Sequence, residues 1–96
     1  MAIFIRLAKM TEHGVRRIQD LDRVMGEVKE IAEAEKVKIV NMYATMGEYD
    51  FVAILEAPDD KAMMKFSGRV GAKGNFNAVT MAALPIAEFK ALFDVK

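Results

Sequence analysis

The stretch "MYATMGEYDFVAILEAPDD", residues 42–60, decides the reading of the fold. Two runs, "VKIVNMYATM" (37–46) and "YDFVAILEA" (49–57), are rich in β-branched and aromatic residues. Their side chains alternate with the period of two that marks strands. Gly47 and Glu48 alone separate them. Gly at the first central position of a two-residue connection suits a type II′ turn, whose backbone only Gly enters without strain. The stretch therefore predicts a β-hairpin with Gly47-Glu48 at its tip. "APDD" then opens a helix. Pro58 fits the first turn, where no N–H is needed, and Asp59 and Asp60 complement the positive helix end.

Outward from the hairpin the pattern continues in both directions. Residues 2–9 alternate as a first strand, with Ile3, Ile5 and Leu7 on one side and Phe4, Arg6 and Ala8 on the other. A helix is expected over 14–35, where Val15, Ile18, Leu21, Met25, Val28 and Ala32 form one apolar stripe. Ala62, Met63, Phe66 and Val70 give the second helix its buried face, and Gly74 is its expected cap. Residues 75–84 read as a fourth strand, and "PIAEFKALF" as a short last helix after Pro85. The tail piece 88–95 is amphipathic, with Phe89 and Phe93 four apart, and is expected to dock on its own domain or on a neighbour. The order is βαββαβ with a C-terminal helix, one domain over 1–96. It predicts an α+β, ferredoxin-like fold: an antiparallel sheet with both long helices on one face.

A two-residue turn fixes the hairpin register: Met46 faces Tyr49, Thr45 faces Asp50, Tyr43 faces Val52, and Asn41 faces Ile54. One face then carries Val40, Met42, Ala44, Met46, Tyr49, Phe51, Ala53 and Leu55 and belongs under the helices. The other carries Ile39, Asn41, Tyr43, Thr45, Asp50, Val52, Ile54 and Glu56. This mixed face suits a sheet that meets a second sheet and traps a pocket. Phe4 and Arg6 are expected to join it, with Thr80 or Asn77 contributed by the fourth strand. A half-buried Arg6 needs a partner, for which Asp50 is the candidate. The expected ligand-binding residues are Phe4, Arg6, Asn41, Tyr43, Asp50 and Thr80. Asp50 and Tyr43 are also the catalytic candidates, since a carboxylate in a cleft is open to a raised pKa. The alternative for Asp50 is a hydrogen bond to Thr45 and the turn backbone, and for Tyr43 a packing role.

Composition narrows the classes. The chain has 96 residues, enough for one domain. It has no cysteine, which removes disulfides and thiolate chemistry. Fourteen basic and fourteen acidic residues cancel, and no basic face marks a nucleic-acid or membrane-surface binder. No run is long and apolar enough to cross a bilayer, and the N-terminus lacks signal-peptide features, so a cytoplasmic protein is expected. His13 is the only histidine, too few for a protein zinc site. No cofactor and no metal are expected, and haem with His13 as axial ligand is the cofactor alternative. "GRVGAKGN" (68–75) closes a helix rather than following a strand, so it is not a phosphate loop. The eight methionines are scattered and serve as gap fillers.

"YATMGEYDFVAILEAPDD" also resembles the signature of the GYD domain family, named for a Gly-x-Tyr-Asp element. "FIRLAKMTEHGVR" (4–16) resembles the family's opening strand and helix entry, and "GNFNAVTMAALPIAEF" (74–89) its last strand and tail. By position Tyr43, Gly47, Tyr49 and Asp50 carry over as the motif. His13 stands where the family often has glutamine, and "MAAL" (81–84) where a Thr-Leu-Arg-Ala-Phe-like run is common. The resemblance implies a ferredoxin-like fold and kinship with dimeric α/β-barrel proteins, and supplies no reaction.

Three function classes follow. The first is a small-ligand-binding or accessory, regulatory module that uses a pocket at the open sheet face. The second is a cofactor-free or haem-assisted isomerase or monooxygenase. The third is a structural subunit. The expected partners are another copy of the chain, as a homodimer or larger assembly, a small organic ligand and a protein. The assembly argument is that Phe4, Ile39, Val52 and Ile54 on one face would otherwise leave a contiguous apolar patch in water.

Overall fold

The computed structural model describes residues 1–94. Val95 of the tail piece and Lys96 of the expected domain lie outside the described residues. The elements run β1 (Ala2–Met10), α1 (Glu12–Arg16), α2 (Leu21–Ala34), β2 (Lys38–Ala44), β3 (Phe51–Ala57), α3 (Asp60–Ala72), β4 (Phe76–Ala83) and α4 (Ile86–Ala91). The four strands form one sheet in the order β2-β3-β1-β4, every pair antiparallel. This is the ferredoxin-like α+β architecture.

The expected first helix is broken in two. Thr11 caps α1, its hydroxyl accepting from the Gly14 N–H at 3.0 Å. Arg17 then leaves helical geometry (φ −99°, ψ 13°), and a 3₁₀ turn at Ile18–Asp20 leads into α2. The break shifts the buried stripe. Val24, Val28, Ile31 and Ala32 are buried, whereas Val15 and Ile18 are exposed. Gly14 is what holds α1 in place: a Cβ there would lie 2.2 Å from the Asn75 carbonyl oxygen, so the chain packs backbone to backbone. That same oxygen accepts the Thr11 N–H at 2.9 Å.

The second helix follows its sequence closely. Asp59 is the N-cap and accepts the Ala62 N–H at 2.9 Å, which places Pro58 just before the cap. Met63, Phe66 and Val70 are buried. Gly74, at φ 80°, donates its N–H to the Gly71 carbonyl and turns the chain into β4. The core lies between the helices and one sheet face, with Phe66 and Leu55 at its centre.

Registry departs from expectation in two places. Tyr43 faces Val52 and Asn41 faces Ile54, but Ile39 faces Leu55. Val40 is the extra residue of a bulge. One added residue reverses every side chain upstream of it, so Ile39 packs against the core. β1 also presents the opposite side from the one expected. Phe4 pairs with Leu55, Arg6 with Ala53 and Ala8 with Phe51, so Phe4 and Arg6 lie beneath the helices. Ile3, Ile5 and Leu7 take the open face instead, across from Glu56, Ile54 and Val52.

The hairpin tip is looser than a two-residue turn. The ladder ends at Ala44 and Phe51, and residues 45–50 form the loop. Thr45 closes it, its N–H donating to the Asp50 carbonyl at 2.7 Å and its hydroxyl to the Tyr49 carbonyl at 2.7 Å. Gly47 supplies the positive φ of 110°. Met46, beyond the last rung, is 99% exposed rather than in the core.

Candidate functional site

The six expected ligand-binding residues divide among three places. Phe4, Arg6 and Thr80 come together on the helix side of the sheet. Asn41 and Tyr43 sit on the opposite face, both exposed. Asp50 lies at the end of β3, where it meets β1 and β2.

Arg6 is the centre of the first group. Its register partner in β4 is Thr80, and α3 passes over both. The guanidinium Nη1 donates to the Ser67 hydroxyl at 2.9 Å and to the Thr80 hydroxyl at 3.2 Å. The charged carbon sits 5.7 Å from the centroid of the Phe66 ring, a cation–π contact. Arg6 is only 8% exposed. Burial lowers its pKa from the ordinary arginine value, yet a guanidinium keeps its charge in proteins. Among the described residues no carboxylate forms an ion pair with it. The expected Arg6–Asp50 pair is therefore absent, because Arg6 projects under α3 while Asp50 serves the backbone.

These groups line a groove of about 680 Å³ between α3 and the edge strand β4. Met63, Met64, Ser67 and Gly71 of α3 form one wall, and Phe76, Ala78, Thr80 and Ala82 of β4 the other. The β4 positions alternate because side chains of a strand do. Thr80 is thus on this side, and the small residues at 78, 82 and 71 leave the space open. Asn77, in register with Lys9, begins the opposite series although its edge reaches the groove. Ser67 was not foreseen from sequence. The only signal was its position four residues after the core residue Met63, beside an arginine that required an acceptor.

Asp50 joins three strands. Its N–H donates to the Ala8 carbonyl at 2.9 Å, its carbonyl accepts from Thr45, and its Oδ2 accepts the Met10 N–H at 2.8 Å. The carboxylate thus substitutes for the next backbone rung where β3 leaves β1. Tyr43, the other catalytic candidate, is 55% exposed on β2. His13 is exposed in the first turn of α1. Among the described residues no group of three or more His, Cys, Asp or Glu is placed to hold a metal ion.

The open face of the sheet is a second unpartnered surface. Ile5 lies between Ile54 and Met81, and Leu7 between Val52 and Val79. These side chains continue across β3, β1 and β4 without a helix above them. Val79 and Met81 on the edge strand are exposed. The tail helix α4 is apolar as well: Phe89 and Phe93 meet edge to face at 5.2 Å, and both remain exposed. Within one chain, then, α4 is not buried on its own domain. No helix is long and apolar enough to cross a membrane among the described residues.

Comparison with known proteins agrees with this geometry. The chain is 28% identical over 92 residues to the glutamine synthetase and cystathionine beta-lyase binding protein of Thermus thermophilus, covering 95% of this chain and 97% of that one. A Thermus thermophilus crystal structure superposes with a TM-score of 0.57 at 18% identity, covering 88% of this chain and 95% of the other. An AsnC family transcriptional regulator from Agrobacterium tumefaciens gives 0.65 at 22% identity over 88% of this chain, and spans 50% of that protein. At these identities the two structures share the fold alone. The model of the GYD domain matches residues 4–93, a span that runs from within β1 through α4 and includes the Gly-x-Tyr-Asp tip whose aspartate joins three strands; the chain belongs to the GYD domain family.

Proposed function

We propose that this protein is a binding and accessory module that self-assembles through the open face of its sheet and acts by docking on other proteins. The observation that carries this reading is the apolar row formed by Ile3, Ile5, Leu7, Val52, Ile54, Val79 and Met81 across three adjacent strands. Soluble monomers rarely leave such a contiguous patch in water, and a two-fold dimer is the commonest way to cover one. The name of the Thermus relative supports a protein partner, since that protein is described as binding two enzymes. The same kind of partner is proposed for this chain, with glutamine synthetase and cystathionine beta-lyase of its own host as the first to try.

Ile54 is the residue to change, because it faces Ile5 at the middle of the row. Sedimentation at micromolar concentration is expected to show a dimer or larger species for the parent. Ile54→Lys is expected to be a folded monomer by the same measurement and by circular dichroism. A fully assembled Ile54→Lys protein would show that the interface lies elsewhere. Co-sedimentation with either enzyme tests the partner, and absence of co-migration with both removes that extension while leaving self-assembly standing.

The isomerase alternative requires Tyr43 and Asp50 to act on one ligand. The Asp50 carboxylate is occupied by the Met10 N–H and Tyr43 is on exposed β2, an arrangement that favours the binding reading.

A further inference from the structure

We propose that the groove between α3 and β4 is a binding site for a small monocarboxylate with an apolar body, held at its charged end by Arg6, Ser67 and Thr80. This inference concerns the helix side of the sheet and is independent of the proposed sheet-face assembly.

The argument starts from an imbalance. Arg6 is only 8% exposed and carries a positive charge with no carboxylate in ion-pair contact among the described residues. Buried charges in proteins are ordinarily paired. Its partners are two neutral hydroxyls, both accepting from Nη1. Nε and Nη2 make no hydrogen bond to the described residues and are not enclosed, so these donors of the planar five-N–H fork open onto the groove. The fork matches a carboxylate in geometry as well as charge.

The hydroxyls add to this rather than compete with it. Ser67 Oγ and Thr80 Oγ1 lie 3.4 Å apart, so one of them can donate to the other. Each already accepts from Arg6, so at least one O–H is left to donate outward. The site thus offers guanidinium donors and a hydroxyl donor at the same place, all of them suited to an anion. The pair of hydroxyls also fixes the guanidinium before a ligand arrives, which reduces the ordering cost of binding.

The rest of the groove sets the class of anion. Its walls near Arg6 are Phe4, Met63, Met64, Phe76, Ala78 and Ala82, which are apolar. Among the described residues no lysine and no second arginine line it. A phosphate, with up to two charges and several oxygens to satisfy, finds a single cation here. Asp60 lies at the far end, seven residues before Ser67 on α3 and so about 10 Å along the helix. A second negative charge reaching that end would be repelled. One negative charge at Arg6 and an uncharged, apolar remainder along the methionines is the chemistry that fits.

The test uses the full chain, labelled with nitrogen-15, and hexanoate as the probe. Hexanamide, of the same shape without the charge, and inorganic phosphate are the controls. Hexanoate up to ~20 mM, well above the ~1 mM affinity that one charged fork and a short tail can supply, is expected to give saturable shifts at the Arg6 Nε–H and at the amides of Ser67, Ala78 and Thr80. Arg6→Met is expected to lose them. A double variant, Ser67→Ala with Thr80→Val, keeps the charge and loses the orienting hydroxyls, and is expected to bind roughly threefold to tenfold more weakly. It also carries the test if Arg6→Met fails to fold. The proposal is overturned if hexanoate leaves the Arg6 signal unmoved, if hexanamide or phosphate binds as tightly, or if the double variant binds like the parent. Ile54→Lys is expected to retain hexanoate binding, so the assembly and ligand readings fail separately.

Discussion

Replacing Asp50 by alanine tests whether the aspartate of the family motif is a structural tie. The backbone bonds of residue 50, to Ala8 and to Thr45, survive the change. The bond from the Met10 N–H to Oδ2, 2.8 Å long, is lost. A hydrogen bond to a charged group contributes about 1.5–3 kcal/mol to stability. Asp50 is half-buried, so water takes over part of the role, and about 1–2 kcal/mol is expected for Asp50→Ala. In a domain of this size each kcal/mol moves Tm by about 4–8 °C, which gives a drop of roughly 4–16 °C. Asp50→Asn keeps an acceptor without the charge and is expected to lose about half as much. The assay is thermal denaturation at fixed protein concentration, since assembly makes Tm concentration-dependent, together with amide exchange at Met10. Faster exchange at Met10 should accompany the lower Tm. An alanine variant with parental Tm and a protected Met10 would refute the tie. Lost hexanoate or partner binding at unchanged Tm would assign Asp50 to a binding site instead.

Two helical glycines, Gly14 in α1 and Gly26 in α2, should respond to alanine with opposite sign. Gly26→Ala meets nothing within 4 Å and gains helix propensity of about 1 kcal/mol, so Tm should rise by about 4–8 °C. Gly14→Ala drives a Cβ into the Asn75 carbonyl and should cost at least about 2 kcal/mol, read in the same melts. Glu35, at the end of α2, is held below the usual carboxylate range first by its hydrogen bond to Arg69 and then by the charge of Lys65. A carboxyl whose folded pKa is depressed stabilises the fold above its unfolded pKa and loses that contribution as pH falls toward the folded value. Urea titrations of the parent and Glu35→Gln should therefore differ near pH 7 and converge as pH drops below the ordinary glutamate value of 4.5. Equal differences at both pH values would remove Glu35 from the acid response.

The order of elements was legible in the sequence because it rests on local physics. The stripe of Met63, Phe66 and Val70 and the Gly74 exit each need only a few neighbouring residues, and each appears as read; Asp59, read only as a charge complementing the helix end, is the N-cap, and Pro58 precedes it instead of lying in the first turn. The hairpin was legible to its pairing, with Tyr43 opposite Val52, for the same reason.

The assignment of faces was decided only by the tertiary structure. β1 alternates Ile3, Ile5 and Leu7 with Phe4, Arg6 and Ala8; apart from Arg6 both of its faces are apolar, and a period of two does not say which is inward. The answer depends on pairing with strands more than forty residues away, where Phe4 meets Leu55 and Ala82. The bulge at Val40 likewise turned Ile39 inward without any glycine to announce it. The facing of β1 moved Arg6 from a supposed contact with Asp50 to its place beside Ser67 and Thr80. Sequence period determines that a strand has two faces; packing of the helices onto one of them determines which side chains meet, and so where a ligand or a second chain finds its surface.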